Sequence, residues 1–214
     1  MTASTMVLML ADGRLPAGGH AHSGGVEAAV ASGVVSDVDS LGAFLRGRLA
    51  TAGLVAAAFA AAACHGTSTV EDLDAELDAR TPSPAVRRAS RAQGRALLRA
   101  ARAMFAITAP GGSHHAVALG VVARAAGLGP RQAAQLAGYG SVAGPASAAV
   151  RLLGLDPYAV QAMLASMAAE CDRTAARAAA HATDPPDALP AAGAPLLDIG
   201  AEVHASWEVR LFAS

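Results

Sequence analysis

Histidine, cysteine, carboxylate and arginine are the side chains through which this chain could do chemistry, and their spacing limits what each can do. His20 and His22 form an H-x-H inside a glycine-rich stretch. Two imidazoles one residue apart can share a metal ion when the backbone is extended, and His114-His115 and Cys64-His65 add further candidate ligands. A stable zinc-type site needs more convergent ligands than this pair, and the spacing fixes no third partner. The pair therefore reads as ordinary loop histidines, with transient metal contact as the alternative. Nucleophile elbows (G-x-S-x-G), H-E-x-x-H and C-x-x-C are all absent. Carboxylates cluster at Glu71, Asp72, Asp74, Glu76 and Asp78 with no histidine beside them in sequence. They read as a solvent-facing charged helix and not as an acid/base pair, which needs two environments that push the pKa values apart.

The cations narrow the choice further. All 16 are arginine, because the chain contains no lysine. A P-loop, a Schiff-base enzyme and a protein kinase each need a lysine, so none can be built here. Arg87, Arg91, Arg95 and Arg99 recur every fourth residue. Like charges at that spacing destabilise a helix by about 0.2–0.5 kcal/mol per pair, so negative charge is expected opposite them. The acidic segment folding back about Pro82-Ser83-Pro84 is the first source, an acidic patch on a partner the second. Nucleic acid comes last, because a net charge of -1 and 3% aromatic residues supply neither a basic footprint nor a stacking platform.

The elements that must position these groups are helical. Alanine is the best helix former and saturates the sequence, while alternating β-branched runs are missing. Ser36 or Asp37 caps a segment running to about Cys64, with Gly66 beyond it. Ser83-Pro84 opens a helix over about 85–107, and Gly129-Pro130 and Asp156-Pro157 open segments at about 130–152 and 157–182. Pro145 predicts a kink or break in the second of these. The reading is a single compact all-α domain of about 8–10 helices over residues 1–214, with no repeat. Residues 12–25, with one proline and five glycines, form a loop closing into a helix at about Val26, and residues 183–195 form a Pro-rich linker. The apolar run from Leu49 to Cys64 falls short of the ~20 residues a membrane span requires, and no signal peptide is read, so the expected location is cytoplasmic. Cys64 and Cys171 cannot make a disulfide framework. Trp207 and Phe212 lie in the final eight residues. Leu211 and Phe212 are not expected to bury much against their own neighbours, and Arg-Leu-Phe offers interface anchors, with docking back on the chain's own body as the alternative.

Five stretches, taken together, resemble the UreF family of urease accessory proteins. LADGRLPAGGHAHSGGVEAAVASGVV is similar to its N-terminal signature, SRAQGRALLR to its Q-x-G-R-x-L-L-R stretch and SHHAVALGVVARAAGL to its H-P-V-A-x-G-x-x-A stretch. SAAVRLLGLDP resembles a later S-A-A-V-R-L helix end, and HASWEVRLFAS the R-L-F-x-S terminus, so the likeness runs from Leu8 to Ser214. The resemblance implies an all-helical, non-enzymatic homodimer that binds a UreD (UreH) accessory protein and recruits a UreG GTPase. That assembly delivers nickel to the urease apoprotein. It implies partner-binding positions at Gly18, Gly19, His20, His22, Ser23, Gly25 and Glu27 in the loop and helix start. In the tail, residues 204–214, it implies His204, Trp207, Arg210, Leu211, Phe212 and Ser214. No catalytic residue, stable metal site or bound cofactor is implied, nickel being handled in transit with His20 and His22 as candidate contacts. Neither nucleic acid nor membrane is an implied partner. The chain departs from the pattern at His20, Ala205, Glu208 and His115, where the family carries an aromatic residue, a glutamate, a tyrosine and a proline. A metal-dependent enzyme or direct metal carrier using His20 and His22 is the competing expectation.

Overall fold

The computed structural model describes residues 3–214, and among them the architecture is entirely helical. The helices are α1 (Ala3–Ala11), α2 (Val26–Ala31), α3 (Val38–Arg48), α4 (Leu54–His65), α5 (Val70–Ala79), α6 (Pro84–Arg102), α7 (His115–Ala125), α8 (Pro130–Leu153), α9 (Pro157–Ser166), α10 (Ala168–Ala179) and α11 (Pro195–Ala205). A π turn at Leu49–Gly53 joins α3 to α4 into one rod, Val38–His65, so ten separate helices are described.

Capping chemistry sets most boundaries. Asp37 accepts from Ser40 N while Ser40 Oγ answers the Asp37 N–H, a reciprocal cap for α3. Thr69 caps α5 and Ser83 caps α6 through the Val86 N–H at 3.1 Å. Gly66, at φ 78, turns the chain out of α4. Two expected segments end early. The helix expected over 85–107 stops at Arg102, because 103–114 carries Pro110-Gly111-Gly112 and leads to the buried Ser113 and His114. The segment expected over 157–182 divides at Met167, where the Ser166 hydroxyl takes the Met163 carbonyl at 2.6 Å and the fully buried Met167 side chain anchors the turn.

Pro145 does not break α8, which is helical from Pro130 to Leu153. Proline lacks the N–H that would serve the carbonyl four residues back. Arg48 replaces that donor, its Nε lying 2.9 Å from the Ser141 carbonyl.

The core forms around α4. The rod Val38–His65 is long and apolar enough to cross a membrane by length and composition, which the shorter run Leu49–Cys64 had not suggested. It is instead the central helix: α4 buries Leu54, Ala57, Phe59, Ala61 and Cys64 on all its faces, packing on α7, α8 and α10. Alanine and glycine allow this. A Cβ on Gly120 of α7 would stand 2.3 Å from the Ala60 carbonyl oxygen, so the two backbones meet where only glycine fits.

Candidate partner-docking site

The glycine-rich loop folds back on itself through three left-handed residues, Gly18 (φ 75), Gly24 (φ 62) and Gly25 (φ 94). Gly25 closes the loop onto α2. A side chain at Gly24 would also strike Pro145 Cγ, 2.8 Å from its Cβ position. Buried Ser23 accepts the Glu27 N–H at 3.4 Å, and Glu27 itself lies buried in the first turn of α2. A carboxylate there suits the positive end of the helix.

Glu27 is the point where the two ends of the chain meet. Its Oε2 lies 2.7 Å from His204 Nε2 and accepts the Phe212 N–H at 3.0 Å, while Oε1 accepts the Leu211 N–H at 2.7 Å. His204 must therefore carry a proton on Nε2. The tail continues along the loop: Ala213 N–H donates to the Ala21 carbonyl at 2.7 Å, and Ser23 N–H donates to the Ser214 carbonyl. His22 Nδ1 lies 2.6 Å from Ser214 Oγ. Arg151, from the last turn of α8, stacks over the Phe212 ring at 4.6 Å and donates to the His20 carbonyl at 3.1 Å. The His204 and Trp207 rings lie 4.9 Å apart.

α11 aims the tail. Glu202 Oε1 accepts the Ala85 N–H at 2.8 Å and the Ser83 hydroxyl, so α11 supplies an acceptor to the unsatisfied donors that open α6. Those hydrogen bonds hold the Glu202 carboxyl below the usual carboxylate range.

Most of the expected positions converge. The backbone of Gly18, Gly19 and His20 shapes the loop, and the side chains of His22, Ser23, Glu27, His204, Phe212 and Ser214 form the junction, with Trp207 beside His204. For Phe212 the alternative holds, docking back on the chain's own body: it is 3% exposed, because the distant loop, Glu27 and Arg151 make a seat for it. Leu211 at 64% and Val209 at 89% exposure remain outside, and Arg210 is exposed with no ion pair among the described residues. The same segment carries a second outward apolar stripe on α11, Leu196, Ile199 and Val203. Sequence reasoning passed over Arg151, although it stands inside the S-A-A-V-R-L stretch, and Arg48, which no local pattern marks.

The metal expectation finds little to build on. His22 is engaged by Ser214, and burial, then neighbouring His20, pushes its pKa down. Cys64 Sγ donates to the Leu128 carbonyl at 3.3 Å, with burial pushing the thiol up to about 11, and His65 turns to Thr67. Among the described residues no three His, Cys, Asp or Glu side chains gather at a metal-holding distance.

His114 corrects the reading of the acidic segment. The histidine is buried, with Nε2 at 2.8 Å from Asp78 Oδ1, Nδ1 at 3.0 Å from Ser90 Oγ, and its N–H donating to Asp74 at 2.9 Å. Arg91 reaches Asp78 at 2.7 Å and Asp74 at 3.4 Å, and Arg87 lies 3.9 Å from Asp78. Thus α5 does fold back to neutralise part of the arginine stripe, but the acidic helix is a structural partner of α6 and His114 and not a free solvated face.

Residues 35–168 match the family described as UreF. The chain is 50% identical to the urease accessory protein UreF of Mycobacterium sp. (strain JLS) over 218 residues, covering all of both chains. It is 47% identical to the urease accessory proteins UreF of Mycolicibacterium vanbaalenii and Mycobacterium marinum, again with both chains fully covered.

Proposed function

This chain belongs to the UreF family of urease accessory proteins, and from that premise we propose that it works as a non-enzymatic scaffold in urease maturation. It bridges a UreD-type (UreH-type) protein and a UreG-type GTPase while nickel, the cargo, passes to the urease apoprotein. It does so in the cytoplasm, as a homodimer. The observation that carries the reading is the junction at Glu27. It seats the tail by Phe212 and leaves Val209, Arg210 and Leu211 exposed, with Arg210 also reaching the cavity behind the junction, while α11 carries its own exposed apolar stripe, Leu196-Ile199-Val203. Arginine is enriched in docking hot spots, and clustered exposed apolar side chains mark interaction surfaces.

The mechanism on this reading is positional. The Glu27 hydrogen bonds hold α2, the end of α11 and the tail together, and Glu202 ties α11 to α6, so a partner meets a formed surface and spends little on ordering it. No step makes or breaks a bond. The test is co-purification with the UreD homologue. Arg210→Ala, and removal of residues 209–214, are each expected to abolish capture while helical content and melting of the body persist. Undiminished capture by the truncated protein would overturn the assignment. The competing metal-carrier reading rests on His20, His22 and further ligands; His22 is already engaged by Ser214, and among the described residues no three candidate ligands gather.

A further inference from the structure

A cavity of about 590 Å³ opens behind the junction, between residues 22–25, the α3–α4 rod, α6, α11 and the tail, and its charge is one-sided. Arg48, Arg88, Arg95 and Arg210 line it, and among the described residues none of them takes part in an ion pair. Arg80 lines it as well. Its guanidinium is already paired with Glu76 and donates to the Asp187 and Leu189 carbonyls, but its Nε is the one buried side-chain nitrogen or oxygen without a hydrogen-bond partner among the described residues. Among the described residues Asp198 is the only side-chain carboxylate in the lining. Burial raises the Asp198 pKa, which weakens it as a counter-charge, and Glu202, near Arg88, is already committed to Ser83 and Ala85.

Arg48 shows the tension most clearly. Its Nε is spent on the Ser141 carbonyl, and its Nη2 lies beside Gly24, where an added Cβ would come within 3.3 Å. Burial pushes its pKa down to about 10, so the group stays charged at neutral pH, with no ion-pair partner among the described residues. A desolvated guanidinium is costly until an anion meets it, and its planar fork fits phosphate and carboxylate oxygens. A bare divalent cation would be repelled by the same lining.

We infer that this cavity is an anion-binding site for phosphate- or carboxylate-type oxygens, centred on Arg48 and reached past Arg88 and Arg95. The site rests on this chain's own residues and stands whether or not the tail docks a UreD-type partner. Two sources share the chemistry: a free small oxyanion, and acidic side chains presented by a bound protein.

The test is titration calorimetry on the full chain at constant ionic strength. Inorganic phosphate is used in one arm and a hexaglutamate peptide in the other, with chloride as the control. At least one probe is expected to bind in preference to chloride. Binding by phosphate assigns the site to a free anion, and binding by the peptide alone assigns it to a partner's acidic side chains. Arg48→Gln is expected to weaken binding about tenfold or more, as loss of a charge-assisted contact does. Because Arg48 also serves Ser141, Arg95→Gln, an exposed change that leaves that bond intact, is the second variant and is expected to weaken binding in the same direction. Failure of both probes to bind, or binding unchanged in both variants, would overturn the site. Neither result depends on capture of the UreD homologue, so this inference and the docking role can fail separately.

Discussion

Single side chains decide whether the two ends of this protein stay together. Glu27 offers oxygens to three donors, two of them backbone N–H groups of the tail. Glu27→Gln keeps the size but replaces one acceptor oxygen with an N–H₂ group that faces donors. Losing a charge-assisted bond and opposing another donor costs about 2–3 kcal/mol. The expected outcome is a released tail, read as faster amide hydrogen exchange at Leu211 and Phe212 with the α4 amides unchanged. Protection at those two amides equal to the parent protein would refute this role. His115 governs a different property. Burial first, and His22 second, push its pKa from 6.5 down to about 4. Below pH 6.5 the unfolded chain takes up a proton that the folded chain refuses until about pH 4. Its contribution is therefore fully present above that range and falls as pH drops through it. His114 and His22 shift in the same direction. His115→Gln should flatten the fall of melting temperature between pH 6.5 and 4 without abolishing it, and an unaltered slope would contradict the assignment.

At the level of elements, close approach and substitute hydrogen bonds hold the helices in place. Gly120 lets α7 touch α4, and Gly94 lets α6 touch the turn before α7, where an added Cβ would lie 2.0 Å from the Ser113 carbonyl oxygen. Gly120→Ala forces the backbones apart and is expected to destabilise by about 1–3 kcal/mol, measured by denaturant unfolding. A wild-type midpoint would mean the helices can part freely. The α8 proline makes a subtler case, since Arg48 serves the carbonyl that Pro145 leaves bare. Arg48→Met should cost about 1–3 kcal/mol, the penalty for an unsatisfied buried acceptor. In a Pro145→Ala background, where a backbone N–H returns, the same change should cost clearly less. Additive effects in that double-mutant cycle would show that the two residues do not compensate each other.

For the molecule as a whole, order of packing explains function better than any one contact. α4 is wrapped by α7, α8 and α10, which leaves the N-terminal loop, α2, α11 and the tail as an outer assembly laid over the core. That assembly bears the exposed apolar groups Leu196, Ile199, Val203, Val209 and Leu211 together with Arg210. Such a surface is expected to bind by its apolar centre, so capture of the UreD homologue should persist in moderately raised salt and vanish on Leu211→Asp. Capture lost to salt alone would indicate a purely electrostatic contact.

The linear chain by itself determined the helical class, most of the helix starts and the family resemblance. These depend on local matters: alanine content, Ser, Asp or Thr before a first turn, proline at the first helical position, glycine after the last. It also marked the loop and the tail as the places of interest, because glycines and terminal aromatics stand out without any contact being known. Only the tertiary structure decided that Glu27 joins His204 to the tail across 177 positions. It also decided that His114 belongs with the acidic helix, that α8 survives Pro145, and that unpaired arginines from two helices and the tail face one cavity. Each of these is a pairing between side chains far apart in sequence. Hydrogen bonding and charge compensation over such separations depend on where packing puts the helices, which no local pattern encodes.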